Sequence, residues 1–206
     1  MYELHPNELL RQIFKSKPYQ GVAPEDSDFL FIGLDANYAP DIDRQPIFSN
    51  LLNYHEDGAA FWRANGVHHP FLLPGYAGDG RRYHLNFAKI GFQSRHANLV
   101  SFVELLHEPT VGRNTLTPGD LSRPHLERIH HAIFAGNAKW VFVSSGVLRL
   151  MKASRVFPEL MNPMAGSDEM RRLYRDDRRT VFLHLHFSNY GKFEQRLRSE
   201  AKAIAA

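Results

Sequence analysis

Apolar residues recur every three or four positions in several segments of the chain, and this spacing predicts amphipathic helices. The first predicted helix begins after Asn7, whose side chain can cap it, and ends before Pro18. Its expected inner face consists of Leu9, Leu10, Ile13 and Phe14. Further helices are predicted around 82–90, from Ser122 to Gly136 with Leu126, Ile129 and Ile133 inside, near 146–153, and at the end of the chain with Phe193, Leu197, Ala201 and Ile204 on one face.

Uninterrupted apolar runs mark the predicted strands, which cover residues 28–34, 140–143 and 180–186. Runs that are apolar on both faces are expected of parallel strands covered by helices on each side. The pattern is weakest between 40 and 95, where prolines and glycines interrupt it. Because strands alternate with helices and 206 residues suffice for one sizeable core, we predict a single α/β domain over residues 1–206 with a mostly parallel sheet.

Composition narrows the classes of function. The chain has no cysteine, which excludes a disulfide, a thiolate zinc site and a thiol nucleophile. The first residues do not resemble a signal peptide, and no apolar run reaches the roughly 20 residues needed to span a bilayer, so we expect a soluble, cytoplasmic protein with no membrane partner. The net charge of +3 and the pI near 9.2 are compatible with a polyanionic partner, although a DNA-coating protein would be far more basic.

Polar groups follow two of the predicted strands. Asp35 comes directly after the first apolar run, and His186 ends the last one. Either residue has an ordinary interpretation, a helix cap or Asx turn for Asp35 and a hydrogen-bonded, partly buried histidine for His186. Ligands of open α/β sheets bind beyond the carboxyl ends of the strands, so together the two residues predict a site at that edge.

These strand ends resemble the two signature motifs of the uracil-DNA glycosylase superfamily. That superfamily has Gly-x-Asp-Pro-Tyr or Gly-x-Asn-Pro-Gly after strand one, and His-Pro-Ser or Asn-Pro-Ser after the last strand. Gly33-Leu34-Asp35 and His186-Phe187-Ser188 match at the polar positions. The intervening Gly91-Phe92, Asn98-Leu99-Val100 and Glu108-Pro109-Thr110 are similar to the mismatch-specific uracil and thymine glycosylase branch.

The chain also departs from the pattern of that superfamily. Ala36 and Phe187 stand where the motifs have proline, so the rigidity that proline gives to each loop is missing. Residues 55–85 read as an insertion.

The resemblance implies a three-layer α/β/α fold around a central, mostly parallel four-stranded sheet. It further implies hydrolysis of the N-glycosidic bond of uracil or another deaminated or damaged base in DNA, as in base excision repair. DNA is then the partner, and neither a cofactor nor a metal nor an obligate protein partner is expected.

Roles for individual residues follow from the same resemblance. Asp35 would stabilise the sugar cation and orient water, while His186 would donate a hydrogen bond to the base. Phe48 would stack on the base, Asn98 would read its edge, and Asn37 and Tyr38 would complete the base site. Contacts to DNA would come from Ser144, Ser145, Ser188, Asn189 and Tyr190, the last filling the gap left by the extruded base. Each of these residues also has a structural alternative, as a core aromatic, a helix cap or a satisfied loop residue.

Three features leave other interpretations open. A metal-dependent hydrolase could draw ligands from His68-His69, His130-His131, His184 and His186, with Asp35 as carboxylate. The missing prolines would also fit a non-catalytic nucleic-acid-binding module. A cluster of arginines could contact DNA phosphates or form a solvated face, because acids interrupt it; its members are Arg171, Arg172, Arg175, Arg178 and Arg179, with Glu169, Asp176 and Asp177 among them.

Overall fold

Strands and helices alternate along the chain in the computed structural model, which describes residues 2–112, 115–161 and 170–205. The strands are β1 (Glu3–Leu4), β2 (Tyr19–Gly21), β3 (Phe29–Gly33), β4 (Val100–Glu104), β5 (Thr110–Val111), β6 (Trp140–Val143), β7 (Arg171–Arg175) and β8 (Thr180–Leu183). The α-helices are α1 (Glu8–Ser16), α2 (Phe48–Glu56), α3 (Gly58–Asn65), α4 (Arg81–Ala88), α5 (Arg123–Phe134), α6 (Ser145–Ser154) and α7 (Glu194–Ala205). Within these ranges, no helix is both long enough and apolar enough to cross a membrane.

The main sheet has the strand order β2-β4-β3-β6-β8-β7. Strands β4, β3, β6 and β8 are parallel to one another, and the two edge strands β2 and β7 run antiparallel to their neighbours. Strands β1 and β5 form a separate two-stranded sheet. The predicted α/β class with a mostly parallel sheet is confirmed, but the predicted four strands are only the parallel centre of a six-stranded sheet.

The two added strands lie at the edges, which explains why the apolar pattern missed them. Strand β2 has three residues, and β7 reads Arg-Arg-Leu-Tyr-Arg, a sequence that contains no apolar run. Short or charged strands are typical of sheet edges, because they discourage pairing with other chains.

Alternate residues of the central strands point into two separate apolar clusters. Leu30 and Ile32 of β3 pack with residues of α5 and α6. Phe31 faces the other side, where it packs with residues of α3, α4 and α7. There its ring stacks on Phe142 with 4.7 Å between ring centroids and lies 5.5 Å from Phe102. Helices therefore cover the parallel strands on both faces, as the uninterrupted apolar runs predicted.

The order of the parallel strands creates a crevice. From β3 the chain continues to β4 on one side, and from β6 it continues to β8 on the other side. The direction of the connections therefore reverses between the neighbouring strands β3 and β6. Such a switch point leaves space beyond the carboxyl ends of the strands, and ligands of open α/β sheets bind there. Asp35 follows β3 directly at this position.

The predicted helices are confirmed with small changes in their boundaries, except that Leu9 is not on the inner face of α1. Asn7 caps this helix, since its Oδ1 accepts a hydrogen bond of 2.8 Å from the Leu10 amide. Leu10 and Phe14 are buried, but Leu9 is 47% exposed, because it lies on the outer side of α1. Ser122 precedes α5 without a capping bond from its side chain.

Helices α2 and α3 lie in the segment where the pattern was weakest. Two buried positions of α2 hold Tyr54 and His55, which an apolar pattern does not recognise. The His55 Nε2 atom lies 2.8 Å from the Lys17 carbonyl oxygen, so this polar side chain is satisfied inside the protein.

Phe31→Ala tests the aromatic packing at the centre of the sheet. We expect a loss of about 3–5 kcal/mol in the free energy of unfolding, because the change leaves a cavity among large rings. Leu9→Ala is the matched control and should change stability by about 0.5 kcal/mol or less, since Leu9 is exposed. Urea unfolding measures both. Similar losses in the two variants would contradict this description of the core.

Candidate active site

A cavity of about 340 Å³ opens at the carboxyl ends of β3 and β4. This volume is at the small end of the range of ligand sites, which starts at about 300 Å³. Gln20, Tyr38, Phe71 and Phe102 line it and are buried, whereas Ser188 lines it and is exposed. The cavity thus has a deep, largely aromatic end and a polar mouth.

Asp35 lines this cavity and is held by the strand extension that follows β3. The Thr110 hydroxyl donates a hydrogen bond of 2.5 Å to Asp35 Oδ2. Backbone bonds join Thr110 to both Ala36 (2.9 Å) and Tyr38 (3.0 Å), so the chain continues in a strand-like pairing after Asp35. Because no helix begins there, the helix-cap interpretation of Asp35 does not apply.

Asn37 adds hydrogen bonds between the segment after β3 and the segment of Thr110. Its Nδ2 group donates to Thr110 Oγ1 at 3.0 Å and to the Gly112 carbonyl at 2.7 Å. Asn37 and Tyr38, which the resemblance suggested as base-site residues, both line the cavity. Tyr38 is buried, and burial is the main cause that raises the pKa of its hydroxyl, with a further contribution from the charge of Glu104.

Glu104 provides a second carboxyl group in the cavity and was not among the candidate site residues predicted from the sequence. It is the last residue of β4 and pairs in register with Gly33 of β3. A side chain at Gly33 would collide with the Glu104 carboxyl group, so the glycine allows this close approach. Burial, and secondarily the nearby charge of Asp35, raise the pKa of Glu104 to about 8. Glu104 is therefore protonated at neutral pH.

His186 lines the cavity from the segment after β8. The Ser188 backbone amide donates to His186 Nδ1 at 3.2 Å, and the Ser188 hydroxyl lies 2.6 Å from the same atom. Because Nδ1 accepts this bond, the proton of the neutral ring is on Nε2. Burial lowers the pKa of His186, and the charge of Asp35 acts in the opposite direction. The residue is thus suited to donate a hydrogen bond from an uncharged ring.

One wall of the cavity comes from the segment that read as an insertion. Phe71 precedes α4, and Tyr83 and His84 lie in the first turn of that helix. Gly80 has a φ of +82°, and a side chain there would meet the Phe71 ring at 2.7 Å. Arg81 fixes the wall by donating to the Phe71 carbonyl at 2.9 Å.

Three histidines cluster at this wall: His69 and His84 line the cavity, and His68 lies behind them. The rings of His69 and His84 stack with 3.5 Å between centroids, and His68 Nε2 lies 3.1 Å from His84 Nδ1. Burial lowers the pKa of all three, to about 3 for His68, so they are uncharged at neutral pH. Across the described ranges, no three histidine, aspartate or glutamate side chains are arranged to hold a metal ion. The cluster therefore contributes aromatic surface.

The other histidine pairs are similarly engaged in local contacts. His130 lies 3.1 Å from Glu159, and His131 is exposed. His184 is buried with Nδ1 2.8 Å from the Leu185 carbonyl, and burial lowers its pKa to about 4. The histidine pairs that suggested a metal-dependent hydrolase thus occupy separate environments.

Comparison with protein-family models, curated proteins and solved structures finds no match to this chain. The resemblance to uracil-DNA glycosylases consequently depends on the residues themselves. Of these, Asp35 and His186 lie at the same cavity, although their motifs are about 150 positions apart in the sequence.

Two predicted base contacts do not lie at this cavity. Phe48 begins α2 and packs, partly buried, against the cluster that contains Leu10 and Phe14. Asn98 precedes β4, at the amino edge of the sheet, where its Oδ1 accepts a 2.6 Å hydrogen bond from Arg63. Because Asp35 is at the opposite, carboxyl edge, Asn98 cannot read a base held there. The buried amide of Gln20 lines the cavity instead.

The predicted DNA contacts fall into two groups. Ser188 is exposed at the cavity mouth, and Tyr190 is 69% exposed with the Arg82 guanidinium 4.3 Å from its ring centre. Asn189 instead closes the intervening turn, since its Nδ2 group donates to the His186 carbonyl at 2.8 Å.

Ser144 and Ser145 lie at the end of β6, where α6 begins, and neither lines the cavity. Ser144 is buried and Ser145 is exposed. Their position at the same sheet edge is compatible with a phosphate contact only for Ser145.

The arginine cluster does not form one continuous basic face. Arg171, Arg175 and Arg178 are exposed, but Arg179 is buried, donates to the Ile133 carbonyl and lies 3.5 Å from Asp176. Glu169, which we counted among the interleaved acids, lies outside the described residues. At least Arg179 therefore has a structural role.

Glu104→Gln tests the protonated state of Glu104 through stability. Folded Glu104 keeps its proton to about pH 8, whereas a carboxyl in the unfolded chain loses it near the ordinary value of 4.5. Between these values the unfolded state binds fewer protons, so wild-type stability should fall as pH rises and then level off. Relative to wild type, Glu104→Gln should gain stability on the order of a few kcal/mol between about pH 5 and pH 8.

Urea unfolding of both proteins across this pH range measures the difference. Glu25→Gln, on an exposed residue, is the control and should show no such trend. A stability difference between wild type and Glu104→Gln that does not change with pH would show that Glu104 is ionised in the folded protein.

Proposed function

We propose that this protein is a DNA glycosylase that hydrolyses the N-glycosidic bond of uracil or another deaminated or damaged base, and that its fold is the three-layer α/β/α fold of the uracil-DNA glycosylase superfamily. One observation carries the proposal. Asp35 and His186, the polar residues of the two matching motifs, line one cavity at the carboxyl ends of the parallel strands.

The chemistry of this bond explains why these residue types are suitable. As the bond breaks, positive charge develops on the sugar and negative charge on the base. The Asp35 carboxylate, oriented by Thr110, stabilises the sugar cation and the water that attacks it. His186 donates from Nε2 to the base oxygen on which negative charge develops. Such fixed groups act most strongly where water is largely excluded.

The aromatic lining supports an extruded base as ligand. Phe71, Tyr83 and Phe102 offer planar surfaces in the cavity, and we assign to these residues the stacking role that the sequence suggested for Phe48. Buried Gln20 presents both a donor and an acceptor, as an amide that reads a base edge must.

The exposed residues around the mouth support DNA as partner. On this proposal Ser188, which is exposed at the mouth, donates to a phosphate of the DNA strand whose base enters the cavity. Among the large apolar residues that the structure describes, Tyr190 is the most exposed, an arrangement that fits insertion into the space left by the base. Arg82 on its ring adds positive charge at the same place.

Base release from labelled DNA under single-turnover conditions tests the proposal. The substrates carry uracil, hypoxanthine or xanthine, in single strands and in mismatched duplexes. We expect abasic sites that form in the presence of a metal chelator, and rates reduced by about 100-fold or more in Asp35→Asn and His186→Ala, because each removes a group that stabilises developing charge. Asp177→Asn, in an exposed turn between β7 and β8, should retain the wild-type rate.

The outcomes of this assay separate the alternatives. No release of any base by the folded wild-type protein would refute the proposal. DNA binding without release, unchanged in Asp35→Asn, would support the non-catalytic binding module. Activity abolished by the chelator would favour a metal-dependent hydrolase.

Tyr190→Ala tests the gap-filling role separately. A space opens beside the extruded base only in a duplex, so this variant should lose activity on duplex DNA while it keeps activity on single strands. Trp140→Ala, at an exposed aromatic on the amino edge of the sheet, is the control and should affect neither. Equal losses on both substrates would contradict the role assigned to Tyr190.

A further inference from the structure

Two carboxyl groups face one cavity from adjacent strands of the sheet. Asp35 follows β3, and Glu104 ends the neighbouring β4. In the parts of the chain that the structure describes, no lysine or arginine lies within ion-pair distance of Glu104. Base release by Asp35 and His186 alone gives Glu104 no role, although a partly buried acid beside a second acid is costly unless one of them is neutral.

We propose that Glu104 is a catalytic residue that donates its proton to the departing base, an inference that rests on the proposed function. The strand order places Asp35 between Glu104 on one side and the segment of His186 on the other. A base whose sugar faces Asp35 could therefore receive a hydrogen bond or a proton from Glu104 on one side and from His186 on the other.

Glu104 lies toward the deep end of the cavity and Asp35 toward its mouth, and this difference sets the orientation of a bound substrate. Glu104 and buried Phe102 are two positions apart on β4, so their side chains share one face of the strand, and both line the cavity; Glu104 therefore lies toward its deep, aromatic end. Asp35 is bonded to Thr110, which also binds exposed Asn37 at the mouth. A base that fills the deep end lies next to Glu104 and leaves its sugar beside Asp35.

The surroundings of Glu104 keep it in the acid form. From β3 it faces Asp35, whose negative charge opposes a second one. From β2 the cavity presents uncharged Gln20, from α4 uncharged Tyr83 and His84, and from the segment before α4 uncharged His69. His186 and the exposed acid Asp79 also line the cavity, and burial favours the neutral form of His186. In many active sites one of two neighbouring acids is protonated and the other is ionised, and the two then take different roles in the reaction.

The step balances in atoms and electrons. The bond between sugar C1′ and the base nitrogen breaks, and its electron pair goes to the base, which takes the proton of Glu104. The oxygen of water bonds to C1′, with the sugar cation stabilised by Asp35, and the water releases one proton to the solvent. Glu104 regains a proton from solvent once the base has left. The products are the free base and an abasic sugar.

The test compares wild type with Glu104→Gln in single-turnover release of uracil and of 5-fluorouracil from single-stranded DNA between about pH 6 and pH 10. Glutamine keeps the size of the side chain but cannot transfer a proton. We expect the wild-type rate to fall about tenfold per pH unit above about pH 8, where Glu104 ionises. Glu104→Gln should be slower by about 100-fold or more at neutral pH and should lack this decline.

The leaving group provides a second readout that a merely structural role would not change. 5-Fluorouracil leaves more easily as an anion and needs less protonation, so Glu104→Gln should lose less activity with it than with uracil. Glu25→Gln, outside the cavity, should behave as wild type with both bases.

The possible failures are distinguishable. If wild type releases base but Glu104→Gln shows the same rate and pH profile, the role of Glu104 is refuted while the proposed function stands. If the folded wild type releases no base, the proposed function fails and this inference fails with it. A carbon NMR titration that showed Glu104 ionised at neutral pH would overturn the inference without reference to activity.

Discussion

Two carboxyl groups lie so close in a partly buried cavity that they cannot both carry a charge at little cost. Parallel pairing of β3 with β4 imposes this proximity, because Gly33 and Glu104 are partners in the register and Asp35 follows two positions later. The absence of a side chain at Gly33 lets the Glu104 carboxyl group approach β3. Asp35 keeps access to the mouth and a hydroxyl donor in Thr110, whereas Glu104 is held in the acid form. The functional interpretation depends on this asymmetry.

The remainder of the fold positions and encloses this pair. The switch in strand order between β3 and β6 opens the crevice, and the aromatic stack around Phe31 fixes the strands behind it. The segment that read as an insertion proves to have a place in the site, because it supplies Phe71, Tyr83 and His84 to the cavity wall. His69 is buried and His84 partly buried, and burial keeps both uncharged, so they add surface without adding charge to the site.

The sequence predicted those parts of the structure that an apolar pattern determines locally. The runs that became β3, β6 and β8 are long and covered on both faces, and Asp35 and His186 were recognisable as polar residues that follow them. Glu104 carries a weaker form of the same signal, because Ser101 interrupts the apolar run before it and Leu105 and Leu106 follow it. A search of every strand end for acids would have found it.

Other predictions failed because sequence position does not determine which edge of a sheet a residue occupies. Asn98 lies before its strand, not after it, and so falls on the edge opposite Asp35. Phe48 is directed into the core by the start of α2, a helix whose buried positions hold Tyr54 and His55 in place of aliphatic residues. The edge strand β7 depends on pairing with β8 and has no apolar run of its own.

The most direct test of the account measures how the site responds to charge on a sugar. Two oligonucleotides are compared, one with a cationic pyrrolidine and one with a neutral tetrahydrofuran in place of a deoxyribose, each with free base added. Because a site complementary to the transition state binds its analogues more tightly, wild type should prefer the cationic ligand by at least about tenfold, and Asp35→Asn should lose that preference. Equal affinity of wild type for both ligands, or a preference that survives in Asp35→Asn, would contradict the claim that this cavity is built to cleave a glycosidic bond.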